Sequence, residues 1–86
     1  MAKSFNLTII TPEKILFDGK TTSLIAPSES GYLGVLANHA PLIANLVYGK
    51  IVIKKDSGET ETLYSKGKGF LEVLKNNVTI LLNRPI

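Results

Sequence analysis

A chain of 86 residues reads as one domain, close to the lower size at which an apolar core holds a fold unaided. With 44% apolar and 20% charged residues it is not a disordered polymer, and the lack of cysteine excludes a disulfide framework or a thiolate metal site. The net charge of +3 admits acidic proteins, nucleic acid or a membrane surface as partners. The lysines are scattered, however: only Lys54 and Lys55 are adjacent, and Glu59 and Glu61 follow them. A solvated strand surface is the favoured reading. No apolar run approaches the ~18 residues of a membrane span, and Met1-Ala2-Lys3-Ser4 lacks a signal peptide's apolar core, so a soluble, cytosolic product is expected.

Residues 5–11 alternate, with Phe5, Leu7 and Ile9 on one face and Asn6 and Thr8 on the other, a period of two that predicts a half-buried strand. Thr11-Pro12-Glu13 ends it, because proline cannot continue a central ladder. Ile15 to Phe17 reads as a short strand stopped by the turn pair Asp18-Gly19, and residues 20–26 as a new strand ending at Pro27. Phe5 and Phe17 are expected in the core.

The next stretch, Pro27 to Leu42, is the most specific in the chain. Gly31 and Gly34 bracket Tyr32 and Leu33, and the only histidine follows in Asn38-His39-Ala40-Pro41. Glycine admits positive φ, whereas proline fixes φ and withholds a donor. The pattern predicts a tight bend, a short strand over Tyr32 to Leu36, and a second rigid bend that aims His39 outward.

Residues 42–48 are apolar on both sides and admit one or two helical turns, but Gly49 and another strand follow, so extended or irregular backbone is favoured. Residues 50–55 and 59–66 form a hairpin around Asp56-Ser57-Gly58; residues 69–75 and 78–83 form another, turned at Asn76-Asn77. Short strands with turn signals every eight to twelve residues predict an all-β sandwich or barrel.

No catalytic constellation assembles from these residues. His39 has no local nucleophile or carboxylate, and one histidine without cysteine makes a poor metal site. Gly19-Lys20-Thr21 resembles the end of a phosphate loop, but position 14 is lysine rather than glycine and a strand follows where a helix is needed. The two lysines of Lys66-Gly67-Lys68-Gly69 could meet an anion, but the favoured reading is a plain loop that ends one strand and begins the next. Glu13, Glu29 and Glu72 are isolated carboxylates, and Glu72 is expected to face outward between core residues of the other parity.

Ser28, Gly31, Leu33-Gly34-Val35-Leu36 and His39-Ala40-Pro41-Leu42 together resemble the signature of the epsilon subunit family of F-type ATP synthases. Thr11-Pro12-Glu13, Leu16-Phe17-Asp18-Gly19, Gly69 to Val73 and Asn77 to Leu81 continue the resemblance in the family's order. It implies a flattened two-sheet β-sandwich of about eight to ten short strands spanning residues 1–86. It also implies a non-catalytic rotor subunit that binds gamma and the c-ring, with no cofactor or metal of its own, peripheral at the cytoplasmic face of a bacterial plasma membrane.

By that resemblance, Glu29, Ser30, Tyr32, Asn38, His39, Pro41 and Leu42 form the interface with the c-ring and gamma. Many relatives carry an acidic residue where Tyr32 stands, so an ion pair there gives way to aromatic packing and a hydroxyl, with Glu29 or Ser30 supplying polarity. An apolar patch for gamma is expected from residues 42–48 and 78–82. The sequence given ends at Asn83-Arg84-Pro85-Ile86, about where the family's C-terminal helices begin, so neither helix-mediated inhibition nor ATP binding is expected of this stretch. The alternative is a basic β-barrel that binds single-stranded nucleic acid, which needs lysines and exposed aromatics interleaved on one sheet.

Overall fold

The computed structural model describes residues 3–82. They form eight strands: β1 (Phe5–Ile10), β2 (Ile15–Ser28), β3 (Gly31–Leu36), β4 (Leu42–Leu46), β5 (Gly49–Lys55), β6 (Thr60–Ser65), β7 (Gly69–Leu74) and β8 (Asn77–Leu82). Hydrogen bonds link them in the order β1-β8-β7-β4-β2-β5-β6, with β3 added to β2 and β1 pairing both β2 and β8. The result is the expected all-β sandwich. One layer holds β4, β7, β8, β1 and the first half of β2; the other holds the second half of β2 with β3, β5 and β6.

The core is the set of inward positions that the alternation marks. Phe5, Leu7 and Ile9 of β1, Leu71 and Val73 of β7, and Val78, Ile80 and Leu82 of β8 face Leu24, Ala26, Val35, Ile51 and Ile53 of the other layer. Glu72 points outward between buried Leu71 and Val73, as the parity requires.

Three local readings are corrected. Asp18-Gly19 makes no turn: β2 runs unbroken from Ile15 to Ser28, with Asp18 opposite Thr8 and Gly19 opposite Leu7. The pair has a full ladder partner in β1, and that long-range pairing outweighs its turn preference. Phe17 is only partly buried, packed on the rim of the core with the Lys55 ammonium 5.9 Å from its ring centroid. The second hairpin turns one residue early. Lys75 and Asn76 take the positive φ values of 50° and 63°, and Asn77 already pairs with Leu74. The proposed strand end at Asn83 lies outside the described residues.

β2 joins the layers by changing which parity faces inward. Thr21 is fully buried in its first half, and Leu24 and Ala26 are buried in its second; the register on β5 shifts between Thr21 and Ser23. Such a bulge bends a strand and switches its faces. The bend leaves the Thr21 hydroxyl buried without a hydrogen-bond partner among the described residues. Valine has nearly the same shape without the polar group. Thr21→Val is therefore expected to raise unfolding free energy by about 1 kcal/mol in urea titration, and a loss of stability would show that the hydroxyl is satisfied.

Candidate rotor-contact loops

The Glu29-Ser30 loop joins β2 to β3 across the pair Ser28–Gly31. Gly31 has φ 116°, a conformation that side chains resist, and the Ser28 hydroxyl donates to the Gly31 carbonyl at 2.6 Å. The loop is also fastened to the end of β4. The Glu29 amide donates to the Asn45 carbonyl at 3.2 Å, the Val47 amide donates to the Pro27 carbonyl at 2.9 Å, and the Asn45 amide nitrogen donates to Glu29 Oε1 at 3.3 Å. A rigid backbone therefore presents exposed Glu29 and Ser30 side chains.

Tyr32 is 64% exposed, yet its position is not free. A Cβ built on Gly49 would lie 2.9 Å from Pro27 Cβ and 3.0 Å from the Tyr32 hydroxyl oxygen. Gly49 thus leaves room at the start of β5 for both Pro27 and the Tyr32 hydroxyl.

The second bend lies beyond the other end of β3. Asn38 has φ 63°, and its amide donates to Asn76 Oδ1 at 2.8 Å. Asn76 Nδ2 in turn donates to the Ser4 carbonyl at 2.9 Å. One asparagine side chain ties together the β7–β8 turn, the start of the chain and the bend that precedes His39. His39 is half-buried rather than fully outward, and its Nδ1 stands 2.7 Å from the Ala40 carbonyl oxygen. Pro41 is exposed and Leu42 half-buried.

The seven expected contact residues therefore form two groups separated by the length of β3. Leu42 is the link between them. It lines a cleft of about 320 Å³ between β3 and β4 together with Glu29, Ser30 and Leu33, and it flanks a hollow with Pro41 and Ile43 on the other side. Asn45, Gly49 and Asn76, which set the geometry of these loops, carry no local signal of that role in the sequence.

The expected apolar patch is only half present. Ile43 and Tyr48 are 73% and 70% exposed, but Val78, Ile80 and Leu82 are core residues because their parity points inward. Leu81 alone of that group faces out. It stands between Phe70 and Ile10, with Ile15 next in register, so an apolar row crosses β7, β8, β1 and β2.

This geometry sits on a chain whose residues 4–86 match the model of the ATP synthase delta/epsilon chain beta-sandwich domain. The chain belongs to that family. An ATP synthase epsilon chain of Dichelobacter nodosus is 43% identical over 81 residues, covering 94% of this chain and 56% of the relative. One from Leptospira borgpetersenii is 45% identical over 80 residues, covering 93% and 61%. This epsilon-type chain thus spans a little over half the length of those curated relatives.

The fold is also that of a chain in the Euglena gracilis mitochondrial ATP synthase OSCP/F1/c-ring structure. There the TM-score is 0.87 at 20% identity, covering 96% of this chain and 52% of the other. A chain of the Tetrahymena thermophila mitochondrial ATP synthase central stalk/c-ring gives 0.75 at 18%, covering 95% and 65%.

Proposed function

We propose that this epsilon-type domain is a non-catalytic part of the central stalk of an F-type ATP synthase, binding gamma and the c-ring and carrying rotation between them. Family membership over residues 4–86 is the observation that carries this reading. The relatives are ATP synthase epsilon chains, and the fold neighbours come from structures that contain a c-ring or central stalk.

In this reading the Glu29-Ser30 loop and Tyr32 rest on the c-ring, while Asn38, His39, Pro41 and Leu42 face gamma. The chemistry suits contact rather than catalysis. The loop backbones are held by their own hydrogen bonds, so little ordering entropy is lost on docking. Tyr32 offers a ring with a hydroxyl at its tip, a residue type suited to the centre of an interface. The domain is then peripheral to the membrane, at its cytoplasmic face in a bacterium.

Reconstituted ATP synthase carrying Glu29→Ala with Tyr32→Ala tests the assignment. Proton-driven ATP synthesis is expected to fall at least severalfold while ATP hydrolysis by the isolated F1 sector is unchanged. Undiminished synthesis by the double variant would remove these residues from the contact. Full coupling in a complex lacking the domain altogether would overturn the mechanical role.

A further inference from the structure

Three segments meet at the corner where the Glu29-Ser30 loop is fastened. Ser28 pairs with Leu46, Leu46 with Gly69, Gly49 with Ser65, and Lys50 with Tyr64. All three tyrosines of the chain lie on these segments, and Tyr32, Tyr48 and Tyr64 are 64%, 70% and 53% exposed. Lys50, Lys66 and Lys68 lie there too, all exposed. The Lys66 ammonium stands 6.0 Å from the Tyr48 ring centroid, and Lys50 is the cross-strand partner of Tyr64. Lys68 borders a hollow with Phe70 and Asn45. Glu29 is the one carboxylate on residues 27–32, 45–50 and 64–69, and the Asn45 amide engages it.

Rings with polar tips beside long basic side chains are the chemistry of a water–lipid boundary. Tyrosine seats its ring at headgroup depth, and lysine lays its methylenes along apolar surface while its ammonium meets phosphate. We infer that this corner is a docking surface for anionic phospholipid headgroups, made by Lys50, Lys66 and Lys68 with Tyr48 and Tyr64. Single-stranded nucleic acid fits it less well. A strand needs a groove that follows its backbone and a platform of successive rings, whereas these tyrosines come from three separate segments. The inference stands apart from the rotor reading, since it concerns the isolated domain and a bilayer.

The test is co-sedimentation of the 86-residue chain with phosphatidylglycerol–phosphatidylcholine vesicles at low salt, with pure phosphatidylcholine vesicles as reference. Binding is expected only to the anionic vesicles and is expected to weaken roughly fivefold per lysine removed in Lys66→Ala and Lys68→Ala. Lys66→Arg with Lys68→Arg should retain it, and Tyr48→Ala should weaken it without altering its salt dependence. Lys20→Ala and Lys54→Ala, exposed lysines away from this corner, should have little effect. Equal losses from those two variants would reduce the effect to net charge and overturn the proposal. So would a chain that keeps its β-type circular dichroism but ignores the vesicles, or one that an oligothymidylate competitor strips from them at low concentration. None of these results bears on gamma or c-ring binding, which the coupling assay reads separately.

Discussion

Gly69→Ala is expected to cost about 3 kcal/mol or more, lowering the thermal midpoint by roughly 12–24 °C for a domain of this size. A Cβ at Gly69 would be driven into the backbone carbonyl oxygen of Leu81, with the Leu82 Cα next nearest at 3.4 Å. A flexible side chain could swing away; a ladder carbonyl cannot. Gly69 pairs with Leu82 on one side and Leu46 on the other, so any shift is felt in β8 and β4 together. Urea unfolding of the variant beside Gly34→Ala separates this from a general glycine effect. Gly34 has no atom within 4 Å of its would-be Cβ and no positive φ, so alanine there should stay within about 0.5 kcal/mol of the parent. A Gly69→Ala protein as stable as Gly34→Ala would mean that β7 and β8 are not packed as described.

Asn76→Ala should be nearly as damaging, at about 3 kcal/mol, by a different route. The residue sits at φ 63°, where alanine costs about 1–2 kcal/mol, and its side chain makes the bonds to the Asn38 amide and the Ser4 carbonyl, each worth about 1 kcal/mol net. Two further variants apportion the loss. Glycine relieves the backbone but leaves both bonds unmade. Aspartate keeps the acceptor for the Asn38 amide but sets a carboxylate oxygen against the Ser4 carbonyl, and should cost about 2 kcal/mol. Amide exchange at Asn38 gives the readout specific to the bend, faster in the alanine and glycine variants than in the aspartate one. If aspartate proved no better than alanine, the tie between this turn and the second contact loop would not exist.

What the sequence made legible is what neighbouring residues decide. The period of two in β1, β5 and β7 marks the core face, and the Asp56-Ser57-Gly58 loop closes where its glycine, at φ 96°, allows. Asp18-Gly19 misled because a turn preference is local, whereas its strand partner is contributed by β1. The parity slip within β2 has no sequence mark of its own: threonine and serine serve equally well in a bulge and in a straight ladder. The contact loops divide in the same way. Gly31 and Pro41 announce two bends, but the side chains that hold those bends come from 16 and 38 residues away in Asn45 and Asn76. Asn76 was visible as a turn former and invisible as a tie. Nor does spacing along the chain show that all three tyrosines converge on one corner; the pairing of β2 with β3 and β4, and of β5 with β6, brings them there.

Because β2 belongs to both layers, the two faces of this domain share one unbroken main chain. A twist applied to either face is handed across through peptide bonds as well as through greasy side chains that could slip. Tugging on the Glu29 loop therefore pulls along the same filament that ends beside β1, and the body answers as one piece.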